Sequence, residues 1–176
     1  MEKIQPLITS IPSKLEDINA ILVKGTAISY FSAISLGRKS NDVCSTINKA
    51  VAVYEEGFRP SESEAQILLE AMMDVVALTE SQLSLLADTK PVFDKLWVAG
   101  LVKKDTASLG IASAKLSEAM SRVAPEHMEA QSRALEGRRR VAFERVLAVY
   151  GNGNGNANAN GKEEGEGDGV MEEQVV

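Results

Sequence analysis

The chain of 176 residues has one cysteine, Cys44, and one histidine, His127. A single thiol excludes an internal disulfide and leaves the redox compartment open. The two residues lie far apart in sequence, with no third orienting group or local motif, so they give no nucleophilic dyad. No Glu-x-x-His tetrapeptide occurs, which argues against a di-iron bundle, and no Gly-x-Ser-x-Gly elbow occurs either. Neither a cofactor nor a metal is expected, and no enzyme chemistry has support. No stretch is long and apolar enough to span a bilayer. The opening MEKIQPLITSIPSKLEDINA has charges and prolines where a secretion signal needs an unbroken apolar run. An Asn-x-Ser/Thr acceptor is missing too. As written, the chain would be cytoplasmic.

An excess of positive charge is also lacking. The formal net charge is −6, and Gly151–Val176 holds six acids and one base, so Met1–Tyr150 keeps 19 acids and 18 bases. That body lacks the electrostatic footprint of a nucleic-acid binder. The tail GNGNGNANANGKEEGEGDG has no periodicity and too little apolar surface to offset the entropy of ordering it. Residues 1–150 are therefore expected to form one helical domain, and residues 151–176 a disordered tail.

Aromatic residues are scarce, at 5%, against a hydrophobic share of 44%. The core must come from Ala, Leu, Ile, Val and Met, a mixture that favours helices over strands. Ile11, Leu15, Ile18 and Leu22 form a first stripe, expected to start at Ser13 and stop at Gly25, with Pro6 and Pro12 interrupting anything earlier. Thr26 to Leu36 is ambiguous, ending at Gly37. A further helix is expected from about Ser40 to Glu56, closing at Gly57. Ser61 and Glu64 have capping-box spacing at the head of a long helix with Leu68, Met72, Val75, Leu83 and Leu86 on one face. A turn is expected at Asp88–Pro91, followed by an aromatic helix with Phe93 and Trp97 facing inward beside Leu83 and Leu86. Gly100 is expected to bend or break that helix. Val102, Leu109, Leu116, Met120 and Val123 make the next stripe. Pro125 opens the last helix, with Met128, Leu135, Ala142, Phe143, Val146 and Tyr150 inward. The expected fold is all-α, an antiparallel bundle of about five helices.

Several polar residues sit on or near these apolar stripes: Thr79 and Gln82 in the long helix, Gln131, Ser132 and Arg139 in the last. Buried polar groups need partners, so each must reach solvent, bond a neighbour or meet a ligand. The run Arg138-Arg139-Arg140 reads mainly as a solvated face, with Glu129–Arg133, Glu136–Arg140 and Arg140–Glu144 at paired spacing. Arg139 differs, because its spacing to Phe143 and Val146 turns it toward the apolar stripe.

The run LLADTKPVFDKLWVAGLVKKDTASLGIASAKLSEAM, followed by RVAFERVLAVY, resembles the fungal hydrophobic surface-binding protein A family, which includes antigenic cell-wall galactomannoproteins. Leu85-Leu86, Lys90-Pro91-Val92-Phe93, Leu109, Leu116 and Phe143 to Tyr150 carry the likeness, which is good over Ser61–Tyr150 and looser before it. The resemblance implies a five-helix bundle binding hydrophobic surfaces, or long-chain lipids in a central cavity, in proteins that are usually secreted or wall-associated. Three features depart from it: the missing signal peptide, the acidic Gly/Asn tail, and Arg139 at a place usually apolar.

Two readings follow. In the first, an acyl chain runs among Leu68, Met72, Val75, Leu116, Met120 and Val146, near Phe93 and Trp97, with Arg139 gripping the carboxylate through two hydrogen bonds. In the second, the core is closed and the chain is an intracellular helical module that recruits a protein partner.

Overall fold

The computed structural model describes residues 1–151, so the expectation of a tail without regular structure lies outside the described residues. Five helices carry the chain: α1 (Gln5–Leu22), α2 (Tyr30–Glu55), α3 (Glu62–Lys95), α4 (Ala99–Ser121) and α5 (Glu129–Gly151). The all-α expectation holds.

The boundaries differ in instructive ways. Helix α1 starts at Gln5 rather than Ser13, with Pro6 in its first turn and Pro12 inside it. Ile4, Ile8, Ile11, Leu15, Ile18 and Leu22 line one fully buried stripe. Burying each such side chain is worth about 1.5–3 kcal/mol, which outweighs the hydrogen bond lost at Pro12. Ser29 caps α2, accepting from the Ser32 N–H, and the helix then runs straight through Gly37. A methyl group at Gly37 would stand 3.0 Å from the Asp105 carboxylate, so glycine here lets α2 and α4 approach.

Helix α3 opens with the expected Ser61–Glu64 capping box. The turn expected at Asp88–Pro91 does not form, and Pro91 sits inside α3. Proline near a helix end removes only one interior hydrogen bond. Hydroxyl groups supply extra donors nearby, Thr89 to the Leu85 carbonyl (2.6 Å) and Tyr150 to the Leu86 carbonyl (2.9 Å). The one further turn carries Phe93 into the core, where it is 0% exposed.

Helix α3 ends in a Schellman motif, with the Val98 N–H donating to the Phe93 carbonyl (3.0 Å) and the Trp97 N–H to that of Asp94 (3.1 Å). The same motif ends α2, where Phe58 donates to Val53 (3.3 Å) and Gly57 to Tyr54 (3.0 Å). Its left-handed position is taken by Gly57 in one case (φ 98°) and by Trp97 in the other (φ 60°). The left-handed turn breaks the helical register that would have stacked Trp97 over Phe93. Trp97 is 94% exposed, so its expected inward placement is overturned.

Contacts between side chains report the directions of the helices. Lys14 pairs with Asp42, and Lys39 with Asp17 at 2.6 Å, so α1 and α2 run antiparallel. The Met1 amine lies 3.6 Å from Glu64, so α1 and α3, which pack together, start at the same end and run parallel. Arg138 grips Glu80, and the Gln131 amide meets the Met73 sulfur at 3.2 Å, so α3 and α5 are parallel as well. Helix α1 packs on α2 and α3, α4 on α2 and α5, and α3 on α5, closing a ring in the order α1, α2, α4, α5, α3. One end of the ring gathers the α1–α2 and α3–α4 links, and the other gathers the remaining two.

Burial pushes the Tyr54 hydroxyl up to about 12, and burial followed by the Asp94 charge raises that of Tyr150 further. Both groups hold their protons more tightly folded than unfolded, where the ordinary value is near 10. Their contribution is complete below about pH 10 and is lost as pH rises toward 12 and beyond. Alkaline unfolding followed by circular dichroism is therefore expected to set in above pH 10, and later in Tyr54→Phe.

Candidate functional site

Buried side chains separate into two groups. The large one follows the inner stripes of all five helices, and the small one contains Ala65, Leu69, Val76, Met128 and Leu135. Between them, in the half of the bundle nearer the α4–α5 link, runs a narrow slot in two parts. One part, of about 30 Å³, is lined by Leu69, Met72, Val76, Ser117, Met120, Ser121, Ser132, Leu135, Glu136 and Arg139. The other, also about 30 Å³, is lined by Tyr54, Leu68, Val123, Met128 and neighbours, and shares Leu69, Met120 and Ser132 with the first.

Arg139 is the charged wall of this slot, only 7% exposed. Its Nε and Nη2 donate to Glu136 at 2.7 and 2.5 Å, and Nη1 donates to the Gly110 carbonyl at 3.2 Å. The guanidinium also lies over the Phe143 ring, 5.6 Å from its centre. Burial alone would raise the Glu136 carboxyl, but hydrogen bonds from Arg139 and Ser117 outweigh it and hold the group below its ordinary value. Glu136 thus fills the bidentate fork of the guanidinium, where another carboxylate could be received.

Of the residues expected to hold a ligand, the structure brings Met72, Met120 and Arg139 together in the first part of the slot and Leu68 in the second. Leu116 and Val75 are buried in the main core rather than on the slot wall. Phe93 lies in the core near the opposite end. Val146 is buried and also floors a surface groove of about 610 Å³ between α3 and α5. Trp97 belongs to none of these. Ser132, already suspect for its position, faces the slot, whereas Gln131 is exposed. Thr79 is buried and donates to the Val75 carbonyl at 2.7 Å. Gln82 is buried with its Oε1 unpartnered among the described residues.

The sequence reading missed Leu69 and Val76. Ala65, Leu69 and Val76 form a second stripe at helical spacing, one position from the first, and a helix touching two neighbours needs both. Glu136 was also misassigned, since it pairs with Arg139 rather than Arg140. Arg140 turns to Glu144 (2.9 Å), and Glu129–Arg133 forms as expected (2.7 Å).

The chemistry elsewhere is quiet. Burial first, then the Asp105 charge, raises the Cys44 thiol, which keeps it protonated. His127 is exposed, with Glu62 at 3.5 Å. Among the described residues no group of three or more His, Cys, Asp or Glu could hold a metal ion, and no helix is long and apolar enough to cross a membrane.

Comparisons with known proteins agree with this architecture. The fold is similar to AFMP4P in complex with palmitic acid, with a TM-score of 0.78 at 18% identity over 84% of this chain and 97% of that one. It is also similar to ligand binding domain 1 of the Penicillium marneffei MP1 protein complexed with arachidonic acids (TM-score 0.75, 16% identity, 83% and 95% covered). Domain 2 of that protein, in complex with arachidonic acids, gives a TM-score of 0.78 at 18% identity over 86% and 94% of the two chains. No curated protein matches significantly. The family model for hydrophobic surface binding protein A matches residues 2–122, reaching back through the helices where the likeness had looked loose and stopping before α5. The chain belongs to the hydrophobic surface binding protein A family.

Proposed function

We propose that this protein binds, without catalysis, a long-chain fatty acid along the slot between α3, α4 and α5, with Arg139 receiving the carboxylate. The observation that carries this reading is a nearly buried guanidinium at the wall of an apolar slot, its fork filled by a carboxylate of the chain itself. Glu136 stands in for the acid. Its side chain is 35% exposed, so it can swing to water when a ligand carboxylate replaces it. Burying one methylene is worth about 0.8 kcal/mol, so a sixteen-carbon chain offers on the order of 10 kcal/mol before binding costs.

Each part of the slot holds only about 30 Å³, far below the hundreds of Å³ a lipid chain fills. Binding therefore requires the slot to widen. Met72 and Met120 line it, only half-buried, and their unbranched side chains repack readily. Met120, which both parts touch together with Leu69 and Ser132, is the most adaptable of the residues between them. Family membership and the palmitic and arachidonic acids held by proteins of the same fold support the reading.

The test is a set of titrations with a long-chain fatty acid and its methyl ester. Arg139→Leu is expected to weaken the acid by about tenfold or more, roughly 1.4 kcal/mol, and to leave the ester nearly unchanged. Glu136→Gln is expected to tighten binding of the acid, because the neutral amide competes less well for the guanidinium. Equal affinity of the acid for wild type and Arg139→Leu would remove the arginine from the mechanism. Failure of both ligands to bind any variant would favour the closed-core interaction module.

A further inference from the structure

Five of the large apolar side chains left exposed by the fold gather at one end of the ring. Val23 lies on the α1–α2 link with Tyr30 and Phe31 opening α2 beside it, and Trp97 lies on the α3–α4 link with Leu101 in the first turn of α4. Phe31 is 85% exposed and Trp97 94%, which no core packing explains. Helices α2 and α4 run side by side in parallel, with Gly37 against Asp105 and Tyr54 near Arg122. That register sets Tyr30 and Phe31 level with Val98 and Ala99, so the two aromatic tips stand on the same rim.

Backbone geometry singles out Trp97 further. Two helices of this chain end in the same Schellman motif, and one uses glycine at the left-handed position as expected. A bulky side chain is disfavoured there, and the Trp97 ring, 94% exposed, gains no core packing in return. Strain retained at an exposed site points to a role outside the folded core.

Charge also differs between the links gathered at the two ends, while α5 ends beside Lys90 and the sequence past Tyr150 adds six acids and one base. The links and the helix ends flanking them, Val23–Phe31 and Asp94–Lys104, carry four bases (Lys24, Lys95, Lys103, Lys104) and one acid, Asp94, which Lys90 already pairs at 2.6 Å. Asp105 follows but is half-buried against α2. At the other end, the links with their flanking helix ends, Glu55–Glu64 and Arg122–Glu129, carry six acids and two bases. An exposed indole and phenol at the tip, fringed by lysines, have the chemistry of a bilayer interface with anionic headgroups.

We infer that the Tyr30–Phe31 and Trp97 tips dock this protein end-on against an anionic lipid bilayer, the rings entering the headgroup layer and the four lysines meeting lipid phosphates. This docking is independent of whether the slot takes a fatty acid.

Trp97 is the only tryptophan, so its emission reports directly. The full chain is mixed with phosphatidylcholine vesicles containing or lacking phosphatidylglycerol, with brominated lipid as quencher. Expected are a blue shift and quenching with the anionic vesicles, reversed by salt. Trp97→Gly should weaken partitioning, measured by flotation, by about tenfold or more while the Tm rises, which separates docking from folding. Lys24→Glu with Lys95→Glu should weaken it similarly on anionic vesicles alone. Vesicle binding with Trp97 unquenched would overturn the proposal, and so would an unshifted spectrum. Blue emission before vesicles are added would also overturn it. Were that emission lost on dilution, a second copy covers the tips; were it lost on removing residues 152–176, the chain's own tail does.

Discussion

Phe93→Ala is expected to lower stability by about 3–5 kcal/mol, the range for a large aromatic truncated inside a close-packed core. At 0% exposure Phe93 is enclosed by the core, so truncating it leaves an apolar cavity. Its side chain shares one core cluster with that of Val98, whose N–H closes the Schellman motif on the Phe93 carbonyl. Losing the ring loosens both the core and the α3–α4 link. In a chain of this size the Tm should fall on the order of 10 °C by calorimetry. Trp97→Ala, four residues on, should change stability by less than about 1 kcal/mol, because the side chain it removes touches little. Trp97→Gly should add about 1 kcal/mol by relieving the left-handed strain. Equal losses at positions 93 and 97 would contradict the turn geometry.

Gly110→Leu is expected to cost about 2 kcal/mol. A methyl group built on Gly110 already stands 3.1 Å from Cδ1 of Phe143, and that ring is buried and held in place. The rest of the leucine must push α5 away from α4, an overpacking worth up to about 3 kcal/mol. Better helix propensity than glycine returns up to about 1 kcal/mol of that. The displaced seam carries the Gly110 carbonyl that accepts from Arg139, so the guanidinium loses one of its anchors as well. Gly137, on α5, has nothing within 4 Å of the corresponding methyl position. Gly137→Ala should therefore raise stability by about 0.5–1 kcal/mol. Urea unfolding of the two variants reads both effects, and destabilisation by Gly137→Ala would show that α5 packs differently.

The all-α class, the main inner stripes and the capping box at Ser61–Glu64 follow from the sequence alone, because periodicity and local hydrogen bonding are carried by residues three or four apart. Arg139 could be singled out for the same reason: its spacing to Phe143 and Val146 places it on the inner face before any partner is known. Proline and glycine were poorer guides. Pro12, Pro91 and Gly37 read as breaks, yet each lies inside a helix, because packing along a buried stripe outweighs one lost hydrogen bond or a weak propensity. Trp97 went from core to surface through one left-handed residue, which changes the direction of the chain without changing its composition. The partner of Arg139, the second stripe through Leu69 and Val76, and the meeting of the Tyr30–Phe31 and Trp97 tips depend on which helices become neighbours. Neighbours in a ring closed as α1, α2, α4, α5, α3 are not neighbours in sequence, so only the tertiary structure could decide them.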